Sequence, residues 1–462
     1  MDAPINSQAP SRAWPTYNTV WRWHFYAGLF CIPFVIVLSL SGAVYLFKTE
    51  IEDWEERAYE NLPLSGAPAS AAEQVRAALA SSPGARFSGY ELPHTPNSAA
   101  RVLVRQGEES VCLYVHPQTL QVLGATLERE RFMRWIFRLH GELLLGDRGS
   151  HLVEIAASWT IVMLLTGLYL WWPRKVRGLG GVFVPRLFQG RKTFWRDLHS
   201  VTGVWISAFA LFLLISGLPW SKFWGNYFKT VRRVTGTAVA RQDWSTGSER
   251  AAVRGGEHAE HGGERGGNRG SRSRGADGPD YAALDRVVAT AAALQLPRPV
   301  IVAPPREKSG DWSVKSMTPN RPQRVNLTVS ASGEVTSREN FRDRHYIDRV
   351  VGYGIAAHEG RLFGPANQAL GMLTATGLVL LSVSGVVMWQ RRRSPGTLGA
   401  PATRVGWRAS IAFVLTVVAL VIALPLFGLT LLLTLIVERL LLARIPWVRA
   451  WLGLRGAVSA VE

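Results

Sequence analysis

The sequence predicts a polytopic α-helical membrane protein of about six spans, four of them in a two-fold internal repeat, with two small α+β domains outside the bilayer. Three observations predict it. Apolar blocks of span length recur along the chain, a transmembrane helix needing about 20 mostly apolar residues. Lys and Arg concentrate in the short loops between blocks. The same landmark residues return at equal spacing in the two halves of the chain.

Four blocks qualify as spans: Phe25–Phe47, Leu152–Trp172, Val201–Trp220 and Ala366–Trp389. A fifth, Ile411–Val437, is longer and broken by Pro425 and Gly428. It reads as a tight helical hairpin, one kinked helix being the alternative. The loop from Trp172 to Trp195 carries Arg174, Lys175, Arg177, Arg186, Arg191 and Lys192 without an acid. The loop from Trp389 to Trp407 carries Arg391, Arg392, Arg393 and Arg404, again without one. Positive short loops are cytoplasmic, so the N-terminus is expected inside. In chain order the reading is a cytoplasmic tail (1–23), span one (24–47), an outside domain (48–135), an outer segment with span two (136–172), and a basic loop (173–198). Span three (199–224), a second outside domain (225–350), an outer segment with span four (351–390) and a basic loop (391–407) follow. The hairpin (408–442) and a cytoplasmic tail (443–462) complete the chain. The first span reads as an uncleaved anchor, its apolar run exceeding a signal-peptide core. Residues 245–279 are Gly/Arg/Ser-rich without apolar periodicity and read as a disordered insertion.

Composition agrees. The 462 residues are 47% hydrophobic with 18 Trp, and 52 Lys+Arg against 34 Asp+Glu give a net charge of +18. A basic chain suits nucleic acid or a membrane; the apolar blocks select the lipid bilayer and leave no nucleic-acid partner expected. Two cysteines, Cys31 and Cys112, exclude a disulfide scaffold, a CxxC zinc site and a cysteine-ligated iron–sulfur cluster.

The repeat is the most informative feature. His24 to Gly42 and His199 to Gly217 each cover 18 residues, and each span closes on Ser-Gly, at Ser41-Gly42 and Ser216-Gly217. His140 and His358 each precede a second hydroxyl–glycine pair, Thr166-Gly167 and Ser384-Gly385, their glycines 27 residues on. Trp171 matches Trp389 and Arg174 matches Arg392. Outside the membrane, helical Ala71–Ala80 is followed by strand-like Arg101–Arg105 and Ser110–His116, and helical Tyr281–Leu294 by strand-like Trp312–Met317 and Arg324–Val329. A helix followed by a small antiparallel sheet fits both.

Histidine occupies both copies of two positions: His24 with His199 at the inner ends of spans one and three, and His140 with His358 on the outer side before spans two and four. Ionisable residues at a membrane are costly and functional by default. Two imidazoles at one depth suit a planar metal cofactor with both axial positions filled, and bis-imidazole haem is the leading expectation. Gly28 and Gly203, four residues after His24 and His199, would clear a helix face for the macrocycle. Arg22, Arg196, Arg138 and Arg361 lie near the four histidines and are placed to pair with propionates. A mononuclear non-haem iron or copper site is the competing metal reading, with Glu142 and Glu359 as nearby carboxylates. His151, His258, His261, His94, His116 and His345 read as interfacial, linker or domain-surface residues.

The motifs Trp23-His24-Phe-Tyr-Ala-Gly28, Leu139-His140-Gly-Glu-Leu-Leu-Leu-Gly146, Thr166-Gly-Leu-Tyr-Leu-Trp171-Trp172-Pro173, Arg196-Asp-Leu-His199-Ser-Val-Thr-Gly203 and His358-Glu-Gly-Arg-Leu-Phe-Gly364 together resemble the PepSY-associated transmembrane family of bacterial inner-membrane proteins. The turn His116–Gly124 resembles the PepSY turn, with His116 where Asp is usual. The resemblance covers about residues 15–395 and extends to siderophore-iron reductases of the ferrioxamine type. It implies two PepSY-like periplasmic domains, b-type haem in the membrane, two in number if each histidine pair holds one, and reduction of a ferric siderophore outside. No nucleotide-binding Gly-x-Gly-x-x-Gly follows a strand, so the electron donor is expected to be quinol or a cytoplasmic reductase. A PepSY-type regulatory or peptidase-inhibiting membrane protein without redox activity is the alternative, and a transporter a weaker third.

Overall fold

The computed structural model describes residues 14–173, 178–238, 281–305, 310–401 and 409–453. The insertion expected at 245–279, with His258 and His261, lies outside the described residues. In chain order the described α-helices are α1 (Tyr17–Tyr45), α2 (Lys48–Glu56), α3 (Ala71–Ala80), α4 (Phe132–Glu142), α5 (Asp147–Trp171), α6 (Gly190–Gly217) and α7 (Lys222–Val234). Then come α8 (Tyr281–Ala293), α9 (Tyr346–His358), α10 (Pro365–Arg392), α11 (Ile411–Ala423), α12 (Pro425–Leu440) and α13 (Pro446–Leu452). The strands are β1 (Arg86–Glu91), β2 (Ala100–Gln106), β3 (Glu109–Val115), β4 (Val122–Leu127), β5 (Val300–Ala303), β6 (Trp312–Ser316), β7 (Val325–Val329) and β8 (Val335–Asn340). The chain divides into a helical unit (1–43, 139–238, 370–462) and a sheet unit (44–138, 239–369).

Five helical segments are long and apolar enough to cross a membrane: Tyr17–Tyr45, Asp147–Trp171, Gly190–Trp220, Pro365–Arg392 and Pro425–Arg444. The protein is a multi-pass membrane protein. The sixth expected span, α11, has 13 residues and falls short of that length. The chain does turn back between α11 and α12. Leu424 leaves helical geometry (φ −131°, ψ 77°) and Pro425 starts α12, where its missing N–H costs nothing. Ser410, before α11, donates its backbone N–H to Trp14, ahead of α1. Leu452, at the end of α13, accepts from Tyr26 Oη at 2.6 Å, again beside α1. The Leu424 corner instead packs with Ile161, Leu218 and Phe427. Both ends of the hairpin thus return to the same end of α1.

At the far end of α5, the buried Glu154 carboxylate caps the start of α7, accepting the N–H groups of Phe223 (3.2 Å) and Trp224 (3.0 Å). A carboxylate satisfies the orphan donors of a helix N-terminus and complements its dipole. Trp224 and Tyr227 on α7 then donate to Ala423 O and Ile422 O, fastening α7 to the hairpin corner.

The sheet unit corrects the picture of two separate small domains. Its eight strands form one antiparallel sheet in the order β4-β3-β2-β1-β5-β6-β7-β8. The two four-stranded halves meet where β1 pairs with β5, Tyr90 opposite Val302 and Glu91 opposite Ile301. Joining the halves removes two unpaired edges, which are liabilities in isolation. Alternation assigns the faces: Val102 and Val104 of β2, Val111, Leu113 and Val115 of β3, and Val314, Val325, Leu327 and Val329 of the second half pack under α3 and α8. Ser70 and Glu73 form a capping box on α3, and Asp285 of α8 accepts the N–H of Ala72 at 2.8 Å.

The opposite face of the first half carries a buried charge network. Arg101 donates to Glu56 (2.9 Å) and Glu60 (2.7 Å), and Arg131 to Glu56 (2.6 Å), Glu128 (3.1 Å) and Tyr114 Oη (3.0 Å). Tyr59 stacks on Tyr114 with ring centroids 3.9 Å apart. The network ties α2, the continuation of the first span, to the sheet.

Candidate functional site

His24 lies about two turns into α1, and its Nδ1 sits 3.0 Å from Met163 O and 3.1 Å from Thr166 Oγ1 on α5. His199 on α6 repeats the arrangement against α10: Nδ1 is 3.1 Å from Leu381 O and 3.1 Å from Ser384 Oγ. His140 on α4 places Nδ1 3.1 Å from Ser41 Oγ on α1, with the Leu38 carbonyl as second partner. In each case the partners are a Ser or Thr hydroxyl and the carbonyl three residues earlier. The partners of His24 and His199 are offset by a constant 218 residues, 163 to 381 and 166 to 384.

These partners assign the imidazole tautomer. A carbonyl only accepts, so Nδ1 must carry the proton. The hydroxyls are turned to accept as well, because each donates back into its own helix: Thr166 to Val162 O (2.9 Å), Ser384 to Leu380 O (2.7 Å) and Ser41 to Val37 O (2.7 Å). Nε2 is then the nitrogen with a free lone pair. Among the described residues, His24 and His199 hydrogen-bond through Nδ1 alone. A hydrogen-bond acceptor on one ring nitrogen is what orients metal-ligating histidines and raises the basicity of the other nitrogen.

The structure brings His24 and His199 together. Their ring centroids are 6.4 Å apart with planes at 85°. Two imidazoles on one metal, each nitrogen about 2.0–2.1 Å from it, have ring centres roughly 6 Å apart. The donor set, two neutral imidazoles with both Nδ1 groups engaged, fits axial ligation of a haem iron. Among the described residues no group of three or more His, Cys, Asp or Glu side chains converges to hold a metal ion. A mononuclear site ligated wholly by protein therefore lacks its third and fourth donors.

Three further glycines lie against the imidazole rings. A Cβ on Gly167 would sit 3.1 Å from His24 Cε1, on Gly42 3.0 Å from His140 Cε1, and on Gly385 3.6 Å from His199 Cε1. The hydroxyl–glycine pairs that marked the repeat thus form the back wall of each imidazole: the hydroxyl binds the ring and the glycine makes room for it. Gly28 and Gly203 have other neighbours. Their Cβ positions face Met163 Sδ at 3.7 Å and Leu381 Cδ2 at 3.6 Å, ordinary van der Waals separations from the paired helices.

Of the four arginines, Arg22, Arg196 and Arg361 have protein partners. Arg22 is committed to the C-terminal segment, donating to Pro401 O (3.1 Å), Gly453 O (3.0 Å) and Leu452 O (3.2 Å). Carbonyls at a helix C-terminus are natural partners for a guanidinium. Arg196 pairs with the buried Asp197 at 2.8 Å, beside Arg186 at 2.7 Å. Arg138 is part-buried at the end of the sheet unit's portion of α4. Arg361 forks onto Glu50 at 3.0 and 2.8 Å, which, with Gln368, holds the Glu50 carboxyl down at about 2. Because the folded value lies below the ordinary 4.5, this pair stabilises the fold above about pH 4.5 and loses its effect as pH falls toward 2. Glu50 is half exposed, so Glu50→Gln is expected to cost under about 1 kcal/mol at pH 7 and nothing at pH 2, by comparing the midpoints of thermal unfolding.

The remaining described histidines sort by the same test. His116 Nδ1 accepts the N–H groups of Gln118 (3.2 Å) and Thr119 (3.1 Å), as an Asp carboxylate would in that turn. His345 caps α9, accepting from Ile347 N at 3.3 Å. Both present Nδ1 as acceptor and are structural. His151 is in the second turn of α5, and His94 lies 3.5 Å from Glu60. His358 is the last residue of α9, followed by the turn that starts α10. Glu142 ends α4, where its carbonyl lies against Gly149 so closely that no Cβ fits, and Glu359 is the C-cap of α9.

The profile of the PepSY-associated TM region matches residues 21–392, which include His24, His140, His199 and His358 and, but for the first turn of α1, the first four membrane-length helices. The chain belongs to the PepSY-associated transmembrane family. The match ends at Arg392, so the α11–α12 hairpin of this PepSY-associated protein lies beyond the matched region, as the motif comparison predicts. No curated protein matches the chain.

Proposed function

We propose that this protein is a haem-containing electron-transfer protein of the bacterial inner membrane that reduces the iron of a ferric siderophore on the periplasmic side. The observation that carries the reading is the His24–His199 pair: two imidazoles from different spans, 6.4 Å apart, with both Nδ1 atoms engaged and both Nε2 atoms free for a metal. His140, whose Nδ1 is held in the same way, and His358, its partner by repeat position, would hold a second b-type haem toward the periplasm. When bound, haem supplies a one-electron carrier. The chain supplies the rest. Thr166, Ser384 and Ser41 orient the rings, and Gly167, Gly385 and Gly42 let the rings seat. The apolar spans keep water from the path across a core of about 30 Å.

Electrons come from quinol or a cytoplasmic reductase and end on Fe(III) of the chelate, which becomes Fe(II). The lower charge weakens the hold of hard oxygen ligands, which is what makes reduction useful for iron release. The N-terminus is cytoplasmic in this reading and the sheet unit periplasmic, from the charge of the loops.

An optical spectrum of the purified protein tests the proposal. Two six-coordinate, low-spin b-type haems per chain are expected, with a Soret band that shifts on reduction and is re-oxidised by an added ferric chelate. A colourless protein would sink it and favour the regulatory, peptidase-inhibiting reading. Orientation has its own test: reporters fused at Gly190 and at Gly333 are expected to give opposite signals, and equal signals overturn the span assignment.

A further inference from the structure

The loop between α5 and α6, read from its charge as cytoplasmic, is apolar in the middle. From Gly178 to Gly190 its one charged residue is Arg186. That charge is neutralised by the buried Asp197 of α6, which accepts from Arg186 Nε at 2.7 Å and Nη2 at 3.1 Å, and also from Arg196 at 2.8 Å. The apolar stretch folds back along the spans. Trp171, at the end of α5, donates from Nε1 to Val182 O at 3.0 Å, and Trp205 of α6 donates to Phe183 O at 3.0 Å. The Phe183 ring meets both indoles edge-to-face, at 5.5 Å and 6.1 Å. Trp205 is six residues beyond His199, about 9 Å further into the span. A turn that reaches Trp205 has therefore passed the level of His199 and entered the apolar part of α6.

Backbone polar groups are costly in an apolar layer unless the protein itself pairs them. Here it does. Leu179 O accepts the N–H groups of Val182 (3.1 Å), Phe183 (3.0 Å) and Val184 (3.1 Å), and Gly181 N–H donates to Val184 O at 2.7 Å. Pro185 has no N–H, and that of Arg186 donates to Asp197 at 3.2 Å. Every N–H from Gly181 to Arg186 is thus engaged, while the two indoles occupy the carbonyls of Val182 and Phe183. The side chains turned outward are apolar: Leu179 is 64% exposed, Val184 53% and Phe188 99%. We infer that residues 179–188 form a membrane-dipping loop whose occupant is lipid. Leu179, Val184 and Phe188 enter the acyl-chain boundary of the leaflet on the His24–His199 side. Arg191 and Lys192, exposed at the start of α6, stand at its headgroups. The inference needs neither haem nor electron transfer.

The test is spin-label accessibility in the full chain, reconstituted in nanodiscs of phosphatidylcholine and phosphatidylglycerol. A nitroxide is attached to Leu179→Cys or Val184→Cys, the native Cys31 and Cys112 being buried. Power saturation compares collisions with oxygen, which partitions into lipid, and with a nickel chelate, which stays in water. Both labels are expected to lose nickel collisions and keep oxygen collisions, as a label at Phe212→Cys does; Phe212 is 42% exposed further along α6. A label at Lys192→Cys is expected to show the opposite. Val184→Asp is expected to lift the turn and restore nickel collisions at Leu179→Cys, because a carboxylate at lipid depth is costly. Nickel collisions at both loop labels equal to those at Lys192→Cys overturn the inference and make the loop a water-facing surface, open to a partner protein. A Leu179→Cys label that Val184→Asp leaves unchanged overturns it as well.

Discussion

Alanine at His24 and alanine at His199 are each expected to remove the same haem, halving the haem content of the purified protein. Each imidazole is held by a different spanning helix, His24 by α5 through Met163 and Thr166, and His199 by α10 through Leu381 and Ser384. If the two imidazoles hold one haem as proposed, loss of either would leave it bound from one helix pair only. The double variant His24→Ala/His199→Ala is expected to resemble either single variant, because the two residues act as a unit. His140→Ala and His358→Ala are expected to lose the other haem or convert it to high spin, and a double variant across the pairs to be nearly haem-free. Haem quantification with electron paramagnetic resonance reads all of these. Different haems perturbed by His24→Ala and His199→Ala would overturn the pairing. Full haem in all four variants would remove the basis of the electron-transfer reading.

The second large effect concerns the buried charge network of the sheet unit. Arg131→Ala is expected to destabilise that unit by about 3–5 kcal/mol, because it removes the cation that Glu56 and Glu128 share in a buried setting, although Arg101 stays on Glu56. Arg131 is 5% exposed and bonds Glu56, Glu128 and Tyr114 together, so no water replaces it without rearrangement. Protection of β2 and β3 amides against hydrogen exchange is the measurement, and the loss is expected to spread through α2. Arg131→Lys is expected to recover only part, since an ammonium cannot fork to two carboxylates and a hydroxyl at once. A loss below about 1 kcal/mol would mean that the network behaves like a surface ion pair.

Much of this protein is legible along the chain because its signals are local. Span length, loop charge and the recurrence of His before a hydroxyl–glycine pair are properties of short windows, and they placed the first four membrane-length helices and the His24–His199 pair. The strand alternation of Val102, Val104, Val111, Leu113 and Val115 is of the same kind, with each second residue meeting α3 or α8. Even His116, standing where a carboxylate is usual, is explained locally, since Nδ1 accepts the same turn N–H groups.

What only the tertiary structure decided depends on partners far apart in sequence. β1 carries a bulge between Phe87 and Gly89, and β5 has four residues, buried throughout; neither shows clean alternation, and their pairing joins edges more than 200 residues apart into one sheet. Gly28 and Gly203 share the helix face of a histidine, which periodicity shows, but only packing sets their Cβ positions beside Met163 and Leu381. Arg22 stands two residues from His24 in the chain, yet its guanidinium found the carbonyls at the end of α13. Proximity in sequence constrains where a backbone atom lies, but a long, flexible side chain is directed by whichever unsatisfied group the folded chain brings within reach. The residue that matters most to each imidazole, the hydroxyl one position before its glycine, was visible in the sequence as a repeated landmark. Its role emerged only when the facing helix set it 3.1 Å from Nδ1.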